Sequence, residues 1–99
     1  MLSKYAIRSR SSAYRIINGL ALIVGGQDSQ IRTLNKVGTF IWTLADGKHT
    51  LSEIINQVCR DFEVDNSRAT QDIEVFVKEM ESRHLLLLTD NPTTLEENK

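Results

Sequence analysis

Few side chains in this sequence are placed to do chemistry. His49 and His84 are its two histidines, and neither has a histidine or cysteine three or four residues away, as a zinc site would need. Cys59 is the single cysteine. It sits in an apolar helical pattern without an adjacent base, so it reads as a buried, inert thiol. A G-x-S-x-G elbow, a P-loop and an H-E-x-x-H helix are all missing from the 99 residues. Gly25-Gly26 is followed by no helix start, so it reads as a loop, not a phosphate cradle. The carboxylates fall at helical spacings and read as solvated faces. No nucleophile–base pair, metal set or cofactor is expected, and the chain is expected not to be an enzyme.

The size agrees with that inventory. Ninety-nine residues suffice for one core, and large-fold enzymes such as dinucleotide-binding dehydrogenases or kinases need much more chain. The composition, 40% hydrophobic and 25% charged, is that of a globular domain. The net charge of −1 removes the main electrostatic case for nucleic acid. A lone cysteine and a start, MLSKYAIRSRSS, without an apolar h-region give the expectation of a reducing, cytoplasmic setting. The longest apolar run, Leu20–Val24, is far short of a membrane span. Charge is unevenly spread: Lys4, Arg8, Arg10, Arg15 and Arg32 face Asp28 alone before residue 35, a balance of +4, against −5 beyond it. The expected organisation is a basic N-terminal segment over 1–13, partly extended or mobile, a folded domain over 14–89, and a flexible tail over 90–99.

The elements change type near Asn35. Tyr14–Ile17 and Leu20–Val24 flank Asn18-Gly19, a strong hairpin signal because both turn residues need positive φ. Gly25–Ser29 reads as a second turn and Gln30–Leu34 as a third strand, completing a meander. Tyr5 and Ile7 allow a further extended piece. Asn35 caps a helix over 35–46 with a stripe of Val37, Phe40, Ile41 and Leu44, ended by Asp46-Gly47. Thr50-Leu-Ser-Glu53 is a capping box for a helix over 50–62 with Leu51, Ile54, Ile55, Val58 and Phe62 inward. A longer helix over 66–83, capped by Asp65 or Ser67, carries Ala69, Ile73, Phe76, Val77 and Met80 inward. Leu85–Leu88 then reads as an extended segment over the core. The fold class is therefore α+β: a three-stranded antiparallel meander followed by three helices, winged helix-turn-helix-like.

The middle of the chain resembles a known family. Leu34-Asn35-x-Val37-Gly38-x-x-Ile41-Trp42-x-Leu44-x-Asp46-Gly47-x-x-Thr50-x-x-Glu53-Ile54 forms one block. Phe62-x-Val64-Asp65, Asp72-Ile73-x-x-Phe76-Val77-x-x-Met80 and Leu85-Leu86 follow it. Together, over roughly residues 14–88, they resemble the PqqD family of pyrroloquinoline quinone biosynthesis, whose domains are also called RiPP precursor peptide recognition elements. One departure is His84, where many relatives have Gly ahead of the final leucine. The resemblance implies a non-catalytic role. Such proteins bind the leader of a ribosomally made precursor peptide as an added strand on the third strand, against the third helix, and present it to a tailoring enzyme, often a radical SAM protein.

The residues are compatible with that role. The third strand is a sheet edge, a template for an incoming strand. Gln30, Ile31, Arg32, Thr33 and Leu34 are the candidates for backbone docking. Asp72, Val75, Phe76, Glu79 and Arg83 are the candidates for a helical wall, with the opposite stripe of Gln71 and Lys78 as competitor. Each also has a plainer reading: Phe76 and Met80 as core, Asp72 as charge balance, Glu79–Arg83 as an exposed i,i+4 pair, Arg32 as an edge gatekeeper. Trp42 lies off its helix's stripe and is expected to pack under the sheet or the C-terminal leucines. Two other functions compete: a scaffold subunit that binds an enzyme without peptide, and a winged-helix DNA-binding protein. The third helix opposes the latter, because Arg68, Lys78 and Arg83 are outnumbered there by Asp72, Glu74, Glu79 and Glu81. An open edge also admits a strand-paired or swapped dimer beside the monomer.

Overall fold

The structure, a computed structural model, describes residues 2–25 and 30–93. The expected turn over Gly25–Ser29 lies outside them except for Gly25, and so do residues 94–99 of the expected tail. Among the described residues there are six strands and three helices: β1 (Tyr5–Arg8), β2 (Ser12–Ile17), β3 (Leu20–Gly25), β4 (Arg32–Thr33), α1 (Lys36–Leu44), β5 (Asp46–Thr50), α2 (Leu51–Phe62), α3 (Asn66–Ser82) and β6 (Leu86–Thr89). The strands make two antiparallel sheets, in the orders β2-β3-β4 and β5-β1-β6.

The meander forms as the sequence predicts. Asn18 and Gly19 both take positive φ, 54° and 81°, and join β2 to β3 in continuous register from Ser12↔Gly25 to Ile17↔Leu20. Regular pairing of the third strand is shorter than the Gln30–Leu34 segment, limited to Leu22↔Thr33 and Ile23↔Arg32. The Leu34 amide still donates to the Ala21 carbonyl at 2.8 Å, and the Leu34 side chain turns into the core.

The second sheet departs most from the sequence reading. β1 is its central strand, and Ala6 and Ile7 are fully buried. Asp46-Gly47 does not end α1. That helix stops at Leu44, and the dipeptide opens β5. Gly47, with φ 85°, lies where the β1–β5 register is irregular, and a Cβ there would strike the Thr93 carbonyl. The Thr93 amide donates to the Gly47 carbonyl at 2.9 Å, and Lys4 pairs with Asp90. Residues 90–93 therefore lie along the sheet.

Each helix start is satisfied locally. Asn35 accepts from the Gly38 amide at 2.7 Å and Asp65 from that of Arg68 at 2.7 Å. Thr50 and Glu53 form the reciprocal capping box. The amides of Leu51 and Ser52 donate to the carbonyls of Lys4 and Leu2, so the N-terminal segment closes the orphan donors of α2. The end of α3 is a Schellman motif: the Leu85 amide reaches the Met80 carbonyl and that of His84 reaches Glu81. His84 occupies the left-handed position with φ 61°.

One core joins both sheets to the helices. Ala69, Ile73, Val77 and Met80 are the buried residues of α3, as expected, and Phe76 is half-buried beside them. In α1 the buried face is rotated from the expected stripe to Gly38, Thr39, Ile41 and Trp42, while Val37, Phe40 and Leu44 are partly covered. The cause is that α1 packs on two sides, against β3 and against α2. Phe40 meets Phe62 edge-on, and Trp42, fully buried, meets Tyr14 of β2 edge-on at 5.7 Å. Thr39 ties α1 to the sheet by accepting from the Ala21 amide at 2.9 Å.

Candidate peptide-binding groove

The two edges of the meander follow from its hydrogen-bond alternation. In an antiparallel ladder, residues facing the neighbouring strand alternate with residues facing away. The Leu34 amide points at β3, so that of Arg32 does too, and the backbone groups of Ile31 and Thr33 point outward. Ile31 is 69% exposed and Thr33 is exposed. Of the docking candidates, Ile31 and Thr33 thus present the outward groups. Arg32 and Leu34 are committed to β3, and Gln30 is exposed just before the strand.

Beside this edge, α1 and α3 enclose an open groove of about 610 Å³. Asn35, Val37, Gly38 and Ile41 line it from the α1 side, beginning two residues beyond Thr33. The α3 side contributes Arg68, Gln71, Asp72, Val75, Phe76 and Glu79. Four of the five helical candidates are therefore brought together. Arg83 does not line the groove; its guanidinium lies 3.8 Å from Glu79. Of the competing stripe, Gln71 lines the groove and Lys78 does not.

The α1 wall was absent from the sequence-derived candidates. Its available signal is Gly38, a glycine inside an amphipathic helix, where it costs helix stability and calls for a packing reason. The structure supplies that reason. A Cβ at Gly38 would stand 3.3 Å from the Phe76 ring and 3.2 Å from the Asn35 side-chain oxygen. Gly38 thus lets Phe76 lie close against the N-terminal turn of α1.

Val37, Ile41, Val75 and Phe76 give the groove an apolar part, and Asn35, Arg68, Gln71, Asp72 and Glu79 make the rest of its lining polar. Val75 is 62% exposed, unusual for an apolar residue in mid-helix. Arg68 pairs with Asp72 at 3.3 Å and Arg83 with Glu79, so each carboxylate has a cation one turn away. Among the described residues there is no cluster of three or more His, Cys, Asp and Glu fit to hold a metal. The one paired histidine, His49, lies on β5 with Nδ1 3.0 Å from Asp46 Oδ1. Burial pushes the Asp46 carboxyl up, but the Lys48 amide and His49 outweigh it and hold the group below its usual range. No described helix is long and apolar enough to cross a membrane.

These features define a small α+β domain that sets an open strand edge beside a helix-walled groove of mixed polar and apolar lining. The family model for coenzyme PQQ synthesis protein D matches residues 21–86, and the chain belongs to that family. Among solved structures, that of TbiB1 in complex with the TbiA(beta) leader peptide has the same fold. Its TM-score is 0.74 at 22% identity, over 81% of this chain and 93% of that one. No curated protein matches the chain significantly.

Proposed function

We propose that this protein is a non-catalytic recognition element. It binds the leader segment of a ribosomally made precursor peptide and presents it to a tailoring enzyme, of the radical SAM class in the pathways this family serves. The observation that carries the reading is the pairing of outward backbone groups at Ile31 and Thr33 with the groove beside them. A leader strand would exchange hydrogen bonds with those residues, which gives affinity for any extended peptide. Its alternate side chains would enter the groove and meet Val75 and Phe76, with Asp72 and Glu79 screening their charge, which gives selectivity. Membership of the PQQ family and the shared fold with a leader-bound protein support this assignment. It requires neither cofactor nor metal.

The test is affinity capture from the cells of origin, read by mass spectrometry able to detect short peptides. The expected catch is a small precursor together with a modifying enzyme. Titrating the recovered peptide against labelled protein should shift the amide resonances of Ile31 and Thr33 and the Val75 methyl groups most. Recovery of an enzyme without peptide would replace this reading with the scaffold role.

A further inference from the structure

The groove can receive only half of the side chains of an added strand. Successive side chains of a strand point to opposite faces of its sheet. A leader paired with Ile31 and Thr33 would therefore set every other side chain on the outer face of the meander, away from α1 and α3. On β3 the core takes Ala21 and Ile23, so Leu22 and Val24 lie on that outer face. Their partners on β2, in the pairs Arg15↔Leu22 and Ala13↔Val24, share it, and so does Ile17 opposite Leu20. Thr33 joins from β4 opposite Leu22, and Ile31, two residues earlier, has the same parity. Ala13, Arg15, Ile17, Leu22, Val24 and Ile31 together line an open hollow of about 380 Å³.

An antiparallel sheet with one face on the core ordinarily turns polar residues outward. Among the described strand residues of this face, only Arg15 and Thr33 are polar. Ile17, Val24 and Ile31 are 45%, 36% and 69% exposed. Contiguous apolar exposure of this kind marks a contact surface. Ile31 and Val75 are the two most exposed large apolar residues among those described. Ile31 borders the docking edge on its outer face, and Val75 lines the groove on its inner face. A single added strand would cover both.

We propose that the leader is read on both faces of its strand, the second reading made by an outer-face site of Ile31, Val24 and Ile17 that takes a large aliphatic or aromatic side chain. The inference rests on the strand addition proposed above. Connectivity selects the occupant. A peptide held by the backbone groups of Ile31 must set a side chain beside that of Ile31, whichever way the added strand runs, and apolar or aromatic cross-strand neighbours of a β-branched residue are favourable. A side chain long enough to lean inward over Ile31 reaches Val24 on the next strand, about 5 Å further in. The leader of this protein therefore carries apolar residues at adjacent positions, one for the groove and one for the outer face, instead of a strict apolar–polar alternation.

The test is selection from a displayed library of random twelve-residue peptides on the full chain, followed by titration of synthetic copies of the enriched peptides. Wild-type protein should enrich apolar residues at both parities. Ile31→Thr keeps a β-branched residue at the edge and removes most of the apolar contact. It should raise Kd roughly two- to tenfold and relax the apolar preference at one parity alone. Val24→Thr, which leaves the docking edge untouched, should relax the same parity more weakly, and Val75→Thr should relax the other. Enrichment confined to one parity and lost with Val75→Thr overturns the outer-face site and leaves the proposed function standing. An Ile31→Thr protein that loses affinity equally at every peptide position also overturns it, because the residue then acts only through the edge itself. Absence of enrichment, or peptides that bind Thr33→Pro protein as well as wild type, refutes strand addition, and the outer-face site falls with it.

Discussion

Proline substitution along β4 gives the sharpest test of strand addition, because adjacent residues should respond oppositely. Thr33 is exposed and its amide faces away from β3. Proline is tolerated at such an edge position, so Thr33→Pro should leave stability within about 1 kcal/mol. It removes one donor to the incoming leader, worth roughly 0.5–1.5 kcal/mol. The ring also displaces the leader backbone, which takes the neighbouring bond to the Thr33 carbonyl with it. Together these amount to about 1–3 kcal/mol, or about a 5- to 150-fold rise in Kd. Arg32→Pro removes an amide that faces Ile23 within the sheet; its cost should appear as lost thermal stability. The assay is isothermal titration of the captured leader, paired with thermal melts. A Thr33→Pro protein that melts normally and binds with unchanged Kd would refute both the docking edge and the alternation that assigns it.

Gly38→Ala adds a methyl 3.3 Å from Phe76 at the groove wall; leader affinity should fall several-fold by titration, while helix propensity gains up to ~1 kcal/mol and keeps the melt near wild type. His84→Gly relieves a left-handed non-glycine residue at the Schellman position and should raise stability by about 0.5–1 kcal/mol in urea titration, leaving binding unchanged. Asp46, held below its ordinary 3.8, contributes stability that is full above that value and lost as pH falls through its folded pKa. Asp46→Asn should therefore flatten the decline in Tm below about pH 4, seen by melts across an acid series.

The hairpin, the three helices and their caps were legible because their causes are local. Asn18-Gly19 needs positive φ at both positions, and Thr50 with Glu53 closes its own box. β1 was legible only as an extended piece at Tyr5 and Ile7, and β5 was not legible, because what makes them strands of one sheet is distant. Tyr5–Arg8 becomes a strand only between β5 and β6, which join it from about 40 and 80 residues further along the chain. Asp46-Gly47 has the composition of a helix terminator, and its positive φ is real, but the glycine serves a register irregularity in β5. Trp42 shows the same limit. A single stripe describes a helix buried on one side, and α1 is covered on two.

The candidate site divides along the same line. Helical spacing put Asp72, Val75, Phe76 and Glu79 on one face, and the groove gathers all four. The spacing could not say which backbone groups of the third strand look outward, since that parity is set by the Leu34–Ala21 bond. Nor could it reveal the α1 wall, which exists because Gly38 lets α1 and Phe76 come close. Both missing pieces are relations between elements far apart in the chain. They have one consequence in common. The groove's shape depends on how α1 is held to the sheet, and that hold includes the Thr39–Ala21 hydrogen bond on the same strand that supports β4. Docking edge and groove wall are thus both anchored on β3. Under the proposed function, a leader engaging one would meet the other already in place, so little of its binding energy would be spent on ordering the site.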